Sequence, residues 1–478
     1  MRVLIINTSD RMGGAAIAAY RLMGALKNNG IKAKMLVMNK STDSDDIIAI
    51  EGKWHKVFNF IGERITIWFN NLFSKKNLFK VSIANTGFNI TQLSDFKKAD
   101  IIHLHWVNQG MLSLKSIQQI IQSGKPIIWT MHDMWECTAI CHHAYTCESF
   151  KTECKNCMFL RFPHKKDLAH QTFIKKQSIF KQASINIVTV SNWLAKQTKE
   201  SVLLRNKPIQ VIPNTLSLSQ FIYLDRDESR NALKLPKDKY IILFGAARID
   251  DPIKGFDILL KAIQYLIGQK TISKDSLHLV TFGKFKYPKQ ITPSIPIEHT
   301  DMGWITDSYT ISQLYSAANI TVSASLYETF GQTLIEAQAC GCIPISFGNS
   351  GQADIITHKV NGYLAQYLSI EDLAKGIEWG LTEGEHIISR KELRQEVIQK
   401  YSGEVVEVIG HKNDVGIDIK AIAEKYDLSE VYVAKKSNRM FYCFLFLKKN
   451  LMKCISPFLW LFLRDIYFAI FFNSLLPF

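Results

Sequence analysis

The chain has 478 residues, 47% of them hydrophobic and 21% charged, which supplies apolar material for two sizeable cores and excludes a single small domain. A formal charge of +15 and a pI near 9.2 predict attraction to a polyanion: nucleic acid, an anionic membrane surface or phosphorylated substrates. No internal repeat or low-complexity tract is present.

The opening segment, Met1-Arg-Val-Leu-Ile-Ile-Asn-Thr-Ser, has too short an apolar part for a signal peptide and reads as the first strand of a Rossmann-like unit, so a cytoplasmic location is expected. Strand-like runs at residues 3–7, 34–38, 101–104 and 127–131 alternate with helical patterns at 15–29 and 114–122. Such alternation predicts a parallel sheet wrapped by helices. Gly13-Gly14 falls between the first strand and its helix, where two glycines allow close approach to a ligand at a helix N-terminus. A purely structural tight turn fits them equally. Between 54 and 73, apolar residues at 54, 57, 58, 61, 65, 68, 69 and 72 follow helical spacing beside Lys56, Lys75 and Lys76. That pattern suits either an interfacial membrane helix or an ordinary helix packed on its own domain.

His132 ends the run Ile127-Ile-Trp-Thr-Met and is expected at the carboxyl tip of a strand, where open α/β sheets keep their working groups. His103 and His105 end the preceding run, one expected at the cleft and the other in the core. Five of nine cysteines lie within 137–157. Cys141, Cys147, Cys154 and Cys157 follow C-x5-C-x6-C-x2-C, a cluster that in a reducing compartment predicts a closed structural zinc site, with His142 or His143 as substitute ligands.

Further strand runs follow at 185–190, 209–214, 241–246, 277–283, 320–324 and 343–346. The domain boundary is placed after Asn214, where periodic apolar pattern lapses. Arg248 and Lys254 bracket the loop Asp250-Asp-Pro-Ile-Lys254-Gly255 ahead of an amphipathic helix over 257–266, positioned to neutralise a departing diphosphate. Beyond the run 319–324 comes Glu328-Thr-Phe-Gly331-Gln332-Thr333-Leu-Ile-Glu336, two carboxylates eight positions apart across a loop-to-helix turn. Free N–H groups at the helix start near Gly331 suit a diphosphate without a metal ion. Glu328 is placed for sugar hydroxyls and Glu336 for ribose hydroxyls. A helix over 392–401, stopped by Gly403, is a candidate crossover. Residues 410–436 match no recognisable pattern, and the apolar tail with Lys448, Lys449, Lys453, Arg464 and Asp465 predicts a helix or hairpin in a membrane interface.

Together Gly13-Gly14, His132-Asp133, Ser191-Asn-Trp, Val211-Ile-Pro-Asn214, the Arg248–Lys254 loop, Gly303 and Glu328–Glu336 closely resemble the retaining glycosyltransferases of family 4, over roughly residues 1–405. The resemblance implies the GT-B fold, α/β with two Rossmann-like domains whose parallel sheets face across a cleft. By it, Arg248, Lys254, Gly331, Gln332, Thr333 and Glu336 bind the donor, His132 and Glu328 contact the transferred sugar, and Gly13-Gly14 form an acceptor or phosphate loop. The cysteine-rich insert directly after the His-Asp pair resembles colanic-acid-type capsule enzymes. Asn214-Thr215-Leu216, Asn319 and Ala324 depart from the family's usual residues, and none removes a charge expected on the donor.

These expectations divide the chain into an acceptor domain at 1–215 with the insert 137–157, a nucleotide-sugar domain at 216–391, a crossover and unassigned segment at 392–438, and a membrane-associated tail at 439–478. The expected function is retaining sugar transfer from a nucleoside-diphosphate sugar to a lipid-linked oligosaccharide in surface polysaccharide synthesis, at the inner face of the cell membrane. It requires no cofactor for catalysis and no nucleic acid. The alternatives are a phosphorylase or epimerase of the same fold, a zinc-containing nucleic-acid binder, and an inactive membrane scaffold. No RNA-binding aromatic motif or basic recognition helix supports the nucleic-acid reading. Asp43-Ser-Asp45 has the D-x-D form of metal-dependent transferases but lies in a polar loop and is set aside.

Overall fold

A computed structural model describes residues 1–286 and 294–402. The first seven strands, β1 (Arg2–Ser9), β2 (Lys32–Asn39), β3 (Ile47–Ala49), β4 (Ile101–Leu104), β5 (Ile127–Met131), β6 (Asn186–Thr189) and β7 (Ile209–Val211), form one parallel sheet in the order β3-β2-β1-β4-β5-β6-β7. The next six, β8 (Tyr240–Arg248), β9 (Leu277–Lys284), β10 (Glu298–Asp301), β11 (Ile320–Ser323), β12 (Ile343–Phe347) and β13 (Tyr363–Ala365), form a second in the order β10-β9-β8-β11-β12-β13. All registers are parallel, for example Val3 against Ile101 and Ile320 against Ile242. Each order reverses once, between β1 and β4 and between β8 and β11. Such switch points open the crevice where doubly wound sheets bind ligands, and the α/β, two-sheet architecture expected from the sequence is the one observed.

The strands form because helices cover both sheet faces, so Ile5, Ile6, Trp129, Ile320 and Ile345 are buried in continuous apolar runs rather than alternating ones. The expected run 209–214 stops at Val211, since Pro213 has no N–H to give the ladder. The polar strand β10, Glu-His-Thr-Asp, carries no apolar signal and was not anticipated. The last described helix, Arg390–Tyr401, starts on a capping box of Ser389 and Glu392. It buries Leu393, Val397 and Tyr401, its Arg394 donates to the carbonyls of Phe221 (2.8 Å) and Ala339 (2.7 Å), and the Tyr401 carbonyl accepts from the Leu216 N–H at 2.8 Å. The helix therefore packs on the second half and reaches the linker. Gly403, the segment 410–436 and the apolar tail lie outside the described residues.

The helix Lys53–Asn70 packs Ile61, Ile65 and Trp68 of its apolar pattern on the core and leaves the other large positions outside. It buries Glu63, Arg64, Ile67 and Trp68 while Trp54, Phe58 and Phe69 are 53%, 66% and 63% exposed. Arg64 Nη2 pairs with Glu63 Oε2 at 2.7 Å, both side chains wholly buried. Arg64 Nη1 donates to the carbonyls of Leu78 (2.5 Å) and Val81 (3.1 Å), and Glu63 Oε1 accepts from the Ile83 and Ala84 N–H groups at 2.7 and 2.9 Å. The pair thus replaces missing backbone partners along 78–84. That segment in turn bridges the cysteine-rich insert at Val81 and Cys141, with Ser82 N–H on the Ile140 carbonyl at 2.7 Å. Replacing Arg64 with Ala leaves a buried, unpaired carboxylate and is expected to cost about 3–5 kcal/mol, whereas Phe58→Ala on the exposed face should stay within about 0.5 kcal/mol; urea unfolding of both variants measures the contrast.

Candidate functional site

The carboxyl ends of β4 and β5 deliver the first half of the site. His103 and His105 are both buried, at 5% and 1% exposure, and neither reaches open cleft by itself. His103 Nε2 lies 2.8 Å from Thr130 Oγ1, and His105 Nδ1 lies 2.8 Å from His132 Nε2, so His105 and His132 share one proton between facing nitrogens. Burial pushes His103 down to about 3 and His132 down to about 4, and places His105 well below its ordinary value. His132 is accordingly a neutral imidazole at neutral pH, able to accept or donate one hydrogen bond without a charge.

Asp133 is buried and ionised. Burial acts to raise its carboxyl, but His142 and the Trp135 N–H more than offset this and hold it at about 2. Its Oδ2 accepts from Trp106 Nε1 and lies against His142 Nδ1, each at 2.8 Å, and its Oδ1 accepts from the Trp135 N–H at 2.7 Å. His142 Nε2 reaches Ser82 Oγ at 3.2 Å. Lys176, itself fully buried, donates to the Trp135 and Thr138 carbonyls at 2.6 and 3.1 Å and sits 3.2 Å over the Trp135 ring. The turn after His132 is thereby fixed from both sides.

The second half comes from β8 and β11. Lys254 Nζ and Glu328 Oε1 pair at 2.6 Å, with Ser325 Oγ 3.0 Å from the same oxygen. Burial acts to raise Glu328 and to lower Lys254, but their mutual attraction wins in each case, lowering the carboxyl and raising the amine. This loop passes beneath β11 because Gly255 has φ +69° and a Cβ there would lie 2.0 Å from the Ala324 carbonyl oxygen. Arg248 is turned onto its own loop, 2.9 Å from Asp251, and is 44% exposed. The helix Gln332–Ala339 starts at Gly331, so the N–H groups of its first turn, including Gln332 and Thr333, are free of intrahelical partners.

The two halves meet across the cleft. Gln332 Nε2 donates to the Gly14 carbonyl at 2.9 Å, setting the start of that helix beside the start of Gly14–Asn28, where Gly13 has φ +90°. Two positive helix ends thus share one region. Arg21, on Gly14–Asn28, pairs with Glu336 at 2.8 Å and with Gln332 at 3.3 Å. Even with Arg21 beside it, burial lifts the Glu336 carboxyl above its ordinary value. Thr329 Oγ1 donates to the His132 carbonyl at 2.6 Å, the Asp354 carboxylate accepts from the Asn192 and Trp193 N–H groups, and Trp193 meets Tyr327 edge-on at 5.0 Å.

The structure therefore gathers His132, Glu328, Lys254, Gly331, Gln332, Thr333, Glu336, Gly13 and Gly14 at the cleft, with Arg248 at its edge facing Asp251. Arg21, Tyr327 and Asp354 were not anticipated, and His142 was read as a substitute thiol-site ligand rather than a partner of Asp133. Asp133 was read as part of a motif, but its buried hydrogen-bond network was not. The cysteine expectation fares differently. Cys141, Cys147, Cys154 and Cys157 lie close enough to act on one another electrostatically, and burial raises the Cys141, Cys154 and Cys157 thiols, Cys154 to about 11 and Cys157 to about 12. Yet among the described residues no group of three or more His, Cys, Asp or Glu is disposed to hold a metal ion.

Comparison with known proteins follows the same two halves. The sequence pattern described as Glycosyltransferase Family 4 matches residues 12–220, and that described as Glycosyl transferases group 1 matches 225–400. A cold shock domain pattern matches 376–432, but its described part is helical, unlike the β-barrel of such domains. The putative colanic acid biosynthesis glycosyl transferase WcaC of Escherichia coli is 25% identical over 274 residues, 55% of this chain and 63% of that protein, so the match spans under two thirds of that relative. An uncharacterized glycosyltransferase of Methanocaldococcus jannaschii is 23% identical over 356 residues, 68% and 87% of the two chains. Among solved structures, sucrose-phosphate synthase from Thermosynechococcus elongatus superposes with a TM-score of 0.58 at 17% identity, covering 85% of this chain and 96% of that one. HepE of Anabaena in complex with UDP-glucose gives 0.55 at 13%, covering 89% and 99%. At such identities these two structures report the fold.

The histidine values carry a pH consequence. His103, His105 and His132 are depressed below the ordinary 6.5 in the folded chain, so the unfolded chain binds the extra protons first on acidification. The stability they allow is fully present above about 6.5 and is lost as pH falls toward the folded values near 4 and 3. The thermal unfolding midpoint should fall between pH 7 and pH 4, and His103→Gln should flatten that slope.

Proposed function

The chain belongs to the group 1, family 4 glycosyltransferases, and we propose that it transfers a sugar from a nucleoside diphosphate to an acceptor hydroxyl with retention at the anomeric carbon. The observation that carries this reading is the convergence of two helix N-termini with Lys254, Glu328 and Glu336 in one interdomain cleft. The donor diphosphate sits on the free N–H groups at Gly331, Gln332 and Thr333 and faces Gly13 and Gly14. Lys254 adds positive charge, and Arg248 joins it by turning from Asp251. Glu336 takes the ribose hydroxyls, exchanging Arg21 for them. Glu328 and the neutral His132 accept or donate hydrogen bonds to the transferred sugar from opposite domains.

In the reaction the bond from the anomeric carbon to the diphosphate oxygen breaks and a bond to the acceptor oxygen forms. The acceptor proton passes to the leaving diphosphate, whose growing charge the helix ends, Lys254 and Arg248 stabilise, so no separate strong base is needed. The colanic acid biosynthesis in WcaC's name supports a surface polysaccharide as the product, and HepE's complex makes UDP-sugars the first donors to test.

The exposed aromatics favour an acceptor held at a membrane. Trp54, Phe58, Phe69, Leu72, Phe73 and Phe79 are 46–66% exposed with Lys53, Lys75, Lys76 and Lys80 exposed around them. Such a face suits an anionic lipid interface. No described helix is long and apolar enough to cross a membrane. A lipid-linked acceptor at such a surface would enter the cleft from the side of the first domain.

Two measurements check this reading. A nucleoside diphosphate at about a hundred times its Kd should stabilise the fold by about 2.7 kcal/mol in a thermal-shift screen, while Lys254→Ala and Glu336→Ala should each lower turnover by about 100-fold or more. Near-normal turnover in both variants would sink the site. For the membrane face, Phe58→Ser with Phe69→Ser should reduce sedimentation with anionic vesicles and leave nucleotide binding unchanged; equal sedimentation of variant and parent would refute it.

A further inference from the structure

The cysteine-rich insert contributes a second histidine to the cleft. His143 follows His142, whose ring is tied to Asp133 and Ser82, and the insert's own anchors, the Val81–Cys141 bridge and the Ile140 carbonyl on Ser82 N–H, fix the backbone just before it. The His143 ring centroid lies 4.4 Å from that of Tyr327, the residue directly before Glu328. The titratable groups that act on His143 are Asp133 and His142 from the first half and Glu328 and Lys254 from the second, so the ring stands where the two halves face each other. Its Nδ1 is buried and has no hydrogen-bond partner. A buried polar atom left without a partner is costly, and a ligand supplying one is the economical explanation. Around it, His132 Nε2 is engaged by His105, Glu328 Oε1 by Lys254, and Asp133 by Trp106, Trp135 and His142.

We propose that His143 Nδ1 hydrogen-bonds a hydroxyl of the sugar being transferred, so that the insert helps determine which sugar the enzyme accepts. The inference rests on the nucleotide-sugar reading of the cleft and adds a residue from outside the paired-glutamate loop. A hydroxyl can give or receive the bond, and a site with a buried polar atom discriminates against a sugar that lacks or inverts the matching group. Tyr327 supplies a wall beside the imidazole, its ring centroid 4.4 Å away.

The test compares nucleotide with nucleotide sugar in the full-length chain and in His143→Ala and His143→Asn, the latter placing an amide close to the Nδ1 position. UDP against UDP-glucose and GDP against GDP-mannose are titrated by calorimetry, with thermal unfolding confirming that each variant folds. For the pair that binds the parent, His143→Ala should leave the affinity for the bare diphosphate unchanged and weaken that for the nucleotide sugar by about tenfold, the loss of one hydrogen bond, with His143→Asn recovering part of it. Equal weakening of both ligands would mark a merely structural ring and overturn the proposal, as would no change in either. Binding of no diphosphate or sugar nucleotide by the parent would instead bring down the reading of the cleft itself.

Discussion

A single buried carboxylate organises the first half of the cleft. Asp133 stays charged although it is 8% exposed, and a charge in that position is tolerable only when donors surround it. The donors come from three places: Trp106 beyond β4, the Trp135 N–H of its own turn, and His142 of the insert. Satisfying one carboxylate therefore draws a strand end, a turn and an insertion into register. The position of His132, one residue earlier, follows from that closure. The insert is held in turn by Ser82, whose hydroxyl also lies 3.5 Å from Arg64 Nη2. A continuous run of polar contacts thus joins the aromatic-bearing helix to the turn after His132.

The second half obeys a different economy. There the charges are paired across loops rather than enclosed: Lys254 with Glu328, Arg248 with Asp251. Both pairs are partly open to solvent, so each can exchange its partner for a ligand group without stranding a bare charge in an apolar interior. The helix ends at Gly331 and Gly14 need no such exchange, since their N–H groups have no intrahelical partner to give up. Enclosed charge on one side builds a rigid wall, and exchangeable charge on the other builds a receptive one.

Much of this was legible before the structure. Strands buried on both faces announce themselves as unbroken apolar runs, which is why β4 and β5 fall where the pattern placed them. The Glu328–Glu336 turn was readable because its chemistry is local. What escaped was non-local. Arg21 is one arginine in a helix, and only a partner 315 positions away gives it meaning. His142 and His143 were read as accessory thiol-site ligands, because spacing cannot show that the loop folds back over Asp133. The helix Lys53–Asn70 buries an ion pair that completes an irregular backbone beside Ile67 and Trp68, and leaves Trp54, Phe58 and Phe69 outside. Apolar periodicity locates such a helix correctly and leaves its orientation open.

The Arg21–Glu336 pair has a further consequence for how tightly any donor can be held. The carboxylate proposed above to take ribose is occupied by the protein's own guanidinium, so on that reading only the fraction of molecules with that pair broken presents the complete site. The measured Kd is then the intrinsic one divided by this fraction. Every 1.4 kcal/mol or so by which the closed pair is favoured raises the apparent Kd about tenfold. The chain carries a competitor of fixed concentration within itself, and any change that weakens Arg21's hold tightens donor binding without touching the donor.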